Sequence, residues 1–317
     1  MKQNREIKVE DLTSSPTCGK PLVMGSTGKE KLLISFSGGR TSAYMTWWLL
    51  NNMQHKYEMI VVFANTGKER EETLQFVHKC DVEFGFNTVW IEAKVTNTKG
   101  IGTSFNIVNF DTACRDGRIY EEHIFKYGIP NQNAPQCTRE MKAVPIDKYA
   151  KSLGWRKYET AIGIRSDEPK RLDWDKKIKK RALYFAELFH VTKSDVNNFW
   201  GKQKFDLQLT SYEGNCDLCF KKGLRKLMTI TKDKPELADW WREMEQKYEM
   251  NDVRKSGKTP MRFFRDNMTI DDIIEESKFP FEPAKDTSKE VDAFRQMAFW
   301  DEYLDSNNGC TESCEVW

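Results

Sequence analysis

The sequence lacks the features of a membrane protein, a secreted protein or a general polyanion binder. No apolar run in the 317 residues approaches the length of a membrane span. The first residues, Met1 to Glu10, are charged and unlike a signal peptide. The 50 Lys and Arg residues nearly balance the 48 Asp and Glu residues, giving a formal net charge of +2, so nucleic-acid affinity would need a local basic patch. These absences predict a cytoplasmic protein without a membrane partner.

Two common phosphate-binding patterns are missing as well. The triplet Gly257-Lys258-Thr259 could end a Walker A loop, but Asp252 stands where the first glycine of that loop belongs. No Gly-x-Gly-x-x-Gly follows a predicted strand, so a dinucleotide-binding fold is unsupported.

The eight cysteines come without an export signal, which favours cytosolic thiols or metal ligands over a disulfide framework.

The most informative stretch that is present runs from a short apolar strand, Leu32–Phe36, into a helix predicted over Thr41–Leu50. Between them Gly38 and Gly39 carry no Cβ, so the chain can turn sharply and approach a ligand closely. The N–H groups of such a turn have no intrahelical partners and bind anions. Three hydroxyl groups border the turn, those of Ser37, Thr41 and Ser42. The pattern predicts a phosphate or pyrophosphate site, with an ordinary strand-to-helix turn as the alternative.

Strand and helix patterns alternate beyond this turn. Further strands are predicted over Met59–Ala64, Asn87–Ile91 and Tyr158–Ile164, and helices over Arg70–Phe84 and Lys142–Leu153. This alternation predicts an α/β fold, a Rossmann-like parallel sheet flanked by helices. Later helical patterns cover Lys222–Ile230, Pro235–Tyr248, Thr269–Glu276 and Glu290–Leu304. We therefore predict a flexible arm over residues 1–29, a nucleotide-binding α/β domain over 30–200 and a helical, cysteine-bearing C-terminal region over 201–317.

Three segments, each after a predicted strand, resemble known nucleotide-site motifs. Ser37–Ser42 resembles the S-G-G-x-(D/T)-S loop of the PP-loop ATP pyrophosphatase superfamily. Asn65–Thr73 is similar to the (D/N)-T-G-x-E-x-x-E-T segment, and Ala161–Arg171 to the G-x-R-x-(D/E)-E…R segment, of the phosphoadenosine phosphosulfate (PAPS) reductase family within it. The resemblance covers about Lys31 to Ile230. It implies an adenine nucleotide α-hydrolase-like fold.

The resemblance also implies an adenine-nucleotide site, for ATP or (phospho)adenylyl sulfate. The backbone of Phe63 and Ala64 would contact adenine, and Arg165 and Arg171 would bind phosphate or sulfate oxygens. The full set of implied nucleotide-binding residues is Ser35, Ser37, Gly38, Gly39, Arg40, Thr41, Ser42, Phe63, Ala64, Asn65, Thr66, Gly67, Gly163, Arg165 and Arg171. Gly163 would let the backbone approach the nucleotide.

The same residues have structural alternatives. Asn65 or Thr66 is predicted to cap the helix that follows, a role compatible with binding. Glu69, Glu71 and Glu72 would complement the dipole of that helix. Ala161–Arg171 could be an exposed, salt-bridged loop, an alternative that suits Lys170 better than Arg165, which directly follows an apolar strand.

A further resemblance concerns the cysteines. Gln136–Pro145 is similar to the C-x-x-x-K-x-x-P segment of these reductases, and the resemblance implies Cys137 and Lys142 as its cysteine and lysine, with one extra residue between them here. Adenylyl-sulfate reductases carry adjacent cysteines there and a later C-x-x-C, and the four hold a 4Fe–4S cluster. Here Gln136 replaces the first, so three matched ligands remain, namely Cys137, Cys216 and Cys219. The alternatives are zinc, with His190 or another cysteine as the fourth ligand, or simply reduced thiols.

The resemblance implies Cys137, Lys142 and Arg165 as catalytic residues, and it raises Cys314 as a fourth. Sulfonucleotide reductases carry their nucleophilic cysteine in an E-C-G-(I/L)-H tail. Cys314 lies in the tail of this chain, but Ser313 and Glu315 replace the flanking residues. Because acidic neighbours disfavour a thiolate, incidental thiols at Cys310 and Cys314 in a flexible tail are the alternative.

Three functions follow as hypotheses. One is reduction of a sulfonucleotide or related sulfur transfer, with a thioredoxin-type reductant or sulfur donor. Another is ATP-dependent sulfur insertion into tRNA or DNA, in which the basic run Lys176–Arg181 grips the polyanion; a solvated face is the alternative for that run. Arg156-Lys157 and Lys221–Lys226 would extend the run if the fold gathers them. Thr41 stands where synthetases usually have an acidic residue for Mg²⁺. The third hypothesis is a nucleotide-binding module without turnover.

Overall fold

The computed structural model describes residues 28–98, 100–214, 216–257 and 259–290. Within these ranges the strands are β1 Glu30–Ser35, β2 Tyr57–Asn65, β3 Val89–Lys94, β4 Ser104–Val108, β5 Glu159–Ile162 and β6 Ala182–Tyr184. The α-helices are α1 Arg40–Asn52, α2 Glu71–Phe84, α3 Arg118–Tyr127, α4 Val144–Ser152, α5 Trp174–Lys180, α6 Phe185–Leu188, α7 Lys193–Trp200, α8 Leu224–Asp233, α9 Ala238–Tyr248 and α10 Ile270–Lys278. A π-helix, Thr138–Ala143, leads into α4.

The strands of the described ranges form one six-stranded sheet in the order β4-β3-β2-β1-β5-β6. All neighbouring pairs are parallel except β3 and β4, which are antiparallel. The predicted α/β fold is therefore confirmed, with an antiparallel edge strand added. The short β4 holds only exposed and half-buried residues, which suits an edge of an otherwise parallel sheet. Since β2, β1 and β5 are adjacent and parallel, the loops that follow them meet at one edge of the sheet.

Alternation along β1 divides the core between the two faces of the sheet. Leu32 and Ile34 pack with α1, α2 and α7, whereas Leu33 packs with α4 on the opposite face. Trp200 ends α7 inside the first of these clusters. The sequences of these buried strands are almost continuously apolar, because helices cover the sheet on both faces.

A further cluster joins the α/β part to the C-terminal helices. It combines residues of α3 and the π-helix with residues of α8, α9 and α10. Trp241 lies at its centre, fully buried against Phe263. This cluster crosses the predicted boundary at residue 200, and the domain division stays a prediction.

Several element bounds differ from the predictions. The helix predicted over Lys142–Leu153 begins earlier, as the π-helix. The later helices agree in place, apart from that over Glu290–Leu304, which lies almost wholly outside the described residues. Cys310 and Cys314 also lie outside them. Among the described helices none is long and apolar enough to cross a membrane.

A buried carboxyl group links α9 to α10. Glu245 accepts a hydrogen bond from the backbone N–H of Ile270, at 2.9 Å, at the first turn of α10. Its other oxygen has no partner in the described part of the chain. Burial raises the pKa of Glu245 to about 7, against the opposing effect of the backbone N–H groups of Ile270 and Phe263. The folded protein therefore holds a proton that the unfolded chain loses near pH 4.5.

We expect stability to fall as pH rises from about 4.5 to about 7, because only the folded state retains this proton. Glu245→Gln keeps an acceptor for Ile270 and removes the charge. In the wild type the raised pKa of Glu245 should lower the free energy of unfolding at pH 8, relative to pH 5, by up to about 3 kcal/mol. The variant should lack this decrease. Urea denaturation at both pH values measures this difference. Glu243→Gln on the exposed face of α9 is the control and should leave the pH dependence unchanged; equal pH dependence in the two variants would contradict the assignment.

Candidate active site

The turn after β1 is braced by its own hydroxyl groups. Ser42 donates a hydrogen bond from its hydroxyl to the carbonyl of Gly39, at 2.9 Å, and accepts one from the N–H of Ser37, at 3.2 Å. The hydroxyls of Ser37 and Ser42 are 2.9 Å apart. Gly39 is the N-cap of α1, and no side chain of the described residues caps this helix there. The first N–H groups of α1 therefore have no side-chain cap, and their binding of an anion stays a prediction.

Gly38 makes the sharp turn that the sequence predicts, but its missing side chain does not face a ligand. Its φ of +82° lies in the left-handed region, and a Cβ there would lie 2.6 Å from Thr73 Cγ2 and 3.2 Å from Phe63 Cε2. The missing side chain therefore faces α2 and the sheet. Gly38 keeps the turn against α2 rather than making room for a ligand.

Arg40 does not aim its side chain at the turn. Its guanidinium forms a bidentate pair with Asp206, with distances of 2.7 and 3.0 Å, and also donates to the carbonyl of Leu207. The indole N–H of Trp200 donates to the carbonyl of Arg40 at 3.0 Å. These bonds fasten the start of α1 to the chain beyond α7. The predicted nucleotide-binding role of Arg40 could therefore be played by its backbone N–H and not by its guanidinium.

Arg165 follows β5 and reaches the turn from the side. The side chain is 2% exposed, and its Nη1 donates to Thr41 Oγ1 at 3.3 Å. Its Nε donates to Asp167 at 2.9 Å, and Nη2 lies 3.7 Å from Glu168. The guanidinium is thus held at the mouth of the phosphate loop by two carboxylates.

Arg171 belongs to the same group of charges. It pairs with Glu168. Burial opposes ionisation of Glu168, but Arg165 and Arg171 outweigh that effect and hold the pKa of the carboxyl below its usual range. Both arginines are therefore positioned by an ionised carboxylate, as expected of phosphate-binding guanidiniums set in place before the ligand arrives.

Gly163 packs against α1. A Cβ on Gly163 would lie 3.1 Å from the Cα and 3.3 Å from the N of Ser42. Its small size therefore brings the end of β5 against the first turn of α1, which places Arg165 beside Thr41. This contact explains the glycine without the close approach to a nucleotide that the sequence suggested.

The loop after β2 is built around Asn65, which is fully buried. Its amide donates to Glu92 Oε1 at 2.6 Å and to the carbonyl of Cys114 at 2.9 Å, and its oxygen accepts from the N–H of Gly67 at 3.1 Å. Gly67 has a φ of +80°, and a Cβ there would lie 2.9 Å from Cys114 Sγ. The side chain of Asn65 thus shapes the loop, and the loop backbone is what a nucleotide could meet.

The predicted capping role of Asn65 or Thr66 was wrong. Helix α2 begins at Glu71, with Arg70 as its N-cap and no side-chain cap from the residues described. Thr66 instead faces Glu69, because the loop closes on itself before the helix starts. Glu71 and Glu72 lie in the first turn of α2, where their charge complements the dipole as predicted.

The remaining predicted contacts with adenine involve backbone alone. Phe63 and Ala64 have buried side chains on opposite faces of the sheet, in separate apolar clusters. Ser35 ends β1 and is buried. These residues lie at the carboxyl edge of the sheet, the edge at which ligands bind in open α/β folds.

Glu69 connects the loop after β2 to the cysteines. Its Oε2 accepts from both the N–H and the hydroxyl of Thr66, at 2.7 and 2.8 Å. Its Oε1 lies 3.5 Å from Lys142 Nζ and 3.8 Å from Cys216 Sγ. Glu69 and Cys216 also form an isolated β-bridge. One buried carboxylate therefore contacts the loop after β2, the π-helix and the C-x-x-C segment.

A neighbouring ion pair reinforces this junction. Lys68 Nζ lies 2.9 Å from Asp217 Oδ2, and the indole N–H of Trp241 donates to Asp217 Oδ1 at 2.8 Å. The N–H of Asp217 donates to the carbonyl of Lys68 at 3.0 Å. The C-x-x-C segment is thus fixed to the loop after β2 by backbone and side chain together.

The three predicted cysteines converge on one tyrosine. Tyr120, on α3, is buried, and its pKa is raised well above the usual value by burial and then by Cys137, Cys216 and Cys219, with a hydrogen bond to Cys137. Cys137 and Cys216 are buried and Cys219 is half-buried. Cys137 and Lys142 are five residues apart, the spacing of a π-helix hydrogen bond, so they lie about one turn from each other.

The prediction of a metal at these thiols finds no support in the described part of the chain. Across residues 28–290, apart from the three undescribed positions within them, no three or more His, Cys, Asp or Glu residues are arranged to hold a metal ion. His190 is exposed next to Val191, which packs with α1 and α7 and not with the cysteines. The described residues therefore give no support to the predicted cluster or to zinc completed by His190.

Sequence reasoning missed Tyr120 and Asp206, and it gave Glu69 only a dipole role. For Tyr120 a signal was present, because Gly117 and Gly128 bracket a run with apolar residues at helical spacing. The partners of Asp206 and Glu69 lie far away in sequence, and no local pattern indicates them.

Comparison with known proteins agrees with this geometry. The model of the phosphoadenosine phosphosulfate reductase domain matches residues 31–208. An uncharacterized nin region protein of Escherichia phage lambda is 31% identical over 290 residues, which cover 90% of this chain and 94% of that protein. An uncharacterized protein of Methanocaldococcus jannaschii is 22% identical over 233 residues, which cover 69% of this chain and 42% of that protein.

Proposed function

Since the chain belongs to the phosphoadenosine phosphosulfate reductase domain family, we propose that it binds an adenine sulfonucleotide and transfers its sulfur group to a cysteine thiol. The observation that carries the proposal is the position of Glu69. This carboxylate contacts Thr66 of the nucleotide loop, Lys142 of the π-helix and Cys216. A nucleotide bound at the carboxyl edge of the sheet would therefore lie beside the thiols.

The phosphates would occupy the turn between β1 and α1. There the first N–H groups of α1 and the hydroxyl of Ser37 would donate to them, while Arg165 would offset their charge from beside Thr41. Thr41 offers no carboxylate for Mg²⁺. This feature supports charge compensation by arginine, and with it sulfonucleotide chemistry over adenylylation of an acceptor.

The reaction needs two thiols and no other redox group. The thiolate of Cys137 would attack the sulfur of the sulfonucleotide, the sulfur–oxygen bond to phosphate would break, and the nucleoside phosphate would leave. A second thiolate, that of Cys216 or Cys219, would attack the Cys137 sulfur and release sulfite, leaving a disulfide. An external dithiol of the thioredoxin type would then reduce that disulfide. Lys142 would offset charge at the sulfonate.

We expect sulfite release from PAPS or adenylyl sulfate in the presence of dithiothreitol, and its loss in Cys137→Ala by at least about 100-fold, because the nucleophile is gone. Sulfite is measured by a colorimetric assay under anaerobic conditions. Intact-mass analysis detects the sulfonate group bound to the protein. Cys80→Ala is the matched control, since Cys80 is a buried thiol on α2 in a different apolar cluster. That variant should keep its activity.

The outcomes separate the hypotheses. Tight nucleotide binding without sulfite or a sulfonated protein would overturn the reaction and favour a nucleotide-binding module. Sulfite release that survives in Cys137→Ala would assign the nucleophile elsewhere, with Cys314 the next thiol to replace.

A further inference from the structure

A second surface, outside the site described above, exposes apolar side chains on a short helix. Trp174 is 55% exposed and Ile178 is 78% exposed. They are four residues apart on α5, so they lie on one face of it. The ring of Trp174 is held in place, because Lys177 Nζ lies 4.9 Å from its centroid and Tyr184 packs against its edge. Tryptophan is enriched at interfaces, because its ring is apolar and its N–H is polar.

The same segment concentrates positive charge. Residues 170–181 contain seven basic and two acidic side chains, in a chain whose formal net charge is only +2. Lys179 and Arg181 are exposed. Lys177 pairs with Glu187, which fixes it beside the indole. The sequence therefore concentrates on this segment the positive charge that a local patch requires.

Not every basic pair of the sequence contributes to it. Lys221 Nζ donates to Thr138 Oγ1 at 2.8 Å, and Lys222 Nζ donates to the carbonyl of Cys216 at 2.6 Å. These two lysines therefore form hydrogen bonds close to the cysteines and do not belong to the α5 surface. By contrast, the carbonyl of Arg181 accepts from the N–H of Thr160, at 3.0 Å, and so joins the end of the α5 segment to β5.

The position of α5 links this surface to the nucleotide site. The helix starts three residues after Arg171, on the crossover between β5 and β6. β6 is the edge strand of the sheet next to β5. A polymer lying along α5 would thus pass beside the loop that carries Arg165 and Arg171.

We propose that α5 is a docking surface for unpaired nucleic acid, with Trp174 stacked on a base and Lys179 and Arg181 against phosphates. Single-stranded nucleic acid is recognised by aromatic side chains set among cations, which is the combination that α5 presents. A membrane fits less well, because a seven-residue helix with two exposed apolar side chains offers little area to insert. The binding of nucleic acid to α5 does not depend on the proposed function. Only the idea that the bound strand accepts sulfur would rest on it.

The test is fluorescence anisotropy of a labelled 20-nucleotide oligothymidylate with the full chain, without any adenine nucleotide, over a series of salt concentrations. Trp174→Ala should weaken binding about tenfold, because stacking on one base is lost. Lys179→Gln/Arg181→Gln should lower the slope of log K against log salt by about 1.4, since two phosphate contacts disappear. Lys232→Gln/Lys278→Gln removes the same charge from α8 and α10 and should leave both quantities unchanged.

Equal weakening by the two double variants, or wild-type binding by Trp174→Ala, would overturn the proposal, as would absence of oligonucleotide binding. Binding to phosphatidylserine vesicles that needs Trp174, with none to the oligonucleotide, would make α5 a membrane surface instead. Cys137→Ala should bind the oligonucleotide like the wild type. Failure of the sulfur chemistry and failure of this docking surface are therefore separate results.

Discussion

Replacing Gly38 with alanine is expected to destabilise the protein by roughly 3 kcal/mol, the combined effect of a left-handed backbone and an overpacked contact. The backbone φ of +82° is strained for any residue with a Cβ, and that Cβ would lie 2.6 Å from Thr73 Cγ2. Thr73 is buried in the first turns of α2 and has little room to move. Urea denaturation of the purified variant measures the change in the free energy of unfolding.

The clash can be separated from the backbone strain. Thr73→Ser removes the methyl group that the new Cβ would meet, so Gly38→Ala/Thr73→Ser should recover part of the loss. Gly154→Ala is the matched control, because Gly154 has a φ of +80° with no atom within 4 Å of its Cβ position. It should show the backbone strain alone, about 1 kcal/mol. If the double variant is no more stable than Gly38→Ala, the contact with Thr73 is not the cause.

This expectation changes how the phosphate site must be tested. A bulkier residue at position 38 would disturb the packing of α2, and the loss of binding that follows would say nothing about the anion. Variants that bear on binding must alter groups facing the loop, such as the guanidinium of Arg165 beside Thr41.

The sequence predicted where the loops after β1, β2 and β5 lie, because their signals are local. An apolar strand, a glycine turn and a helix start lie within fifteen residues, and three such units in parallel order bring their loops to one edge. The predicted convergence of Cys137, Cys216 and Cys219 rested on resemblance alone, and the structure places all three around Tyr120.

What could not be predicted depends on partners far apart in the chain. The guanidinium of Arg40 pairs with Asp206, across 166 residues, and so leaves the phosphate loop that its position suggested. Gly163 packs on Ser42, a contact that only the assembled sheet creates. The π-helix before α4 also had no local signal, because its residues differ little in pattern from those of an ordinary helix.

Arg165→Met is the second change with a large expected effect, on both stability and binding. The side chain is 2% exposed and lies between Asp167, Glu168 and Thr41. Removing it leaves the buried Glu168 carboxylate with Arg171 as its remaining cation, so the cost should stay below the roughly 3–5 kcal/mol of an unpaired buried charge. It also removes the cation at the phosphate loop, so affinity for PAPS or ATP should fall at least about tenfold. Urea denaturation and isothermal titration calorimetry measure the two effects.

Glu168→Gln distinguishes a binding role from a merely structural one. It breaks the same ion pair from the other side, while its amide oxygen can still accept from the N–H of Arg165, the bond that Glu168 Oε2 now accepts at 3.1 Å. Because the pKa of Glu168 lies below its usual range, this substitution removes a full negative charge at neutral pH. Stability should fall, but the site becomes more positive, so nucleotide affinity should hold or rise. Parallel losses of affinity in both variants would mean that Arg165 only supports the fold; opposite changes would mean that its charge acts on the phosphates.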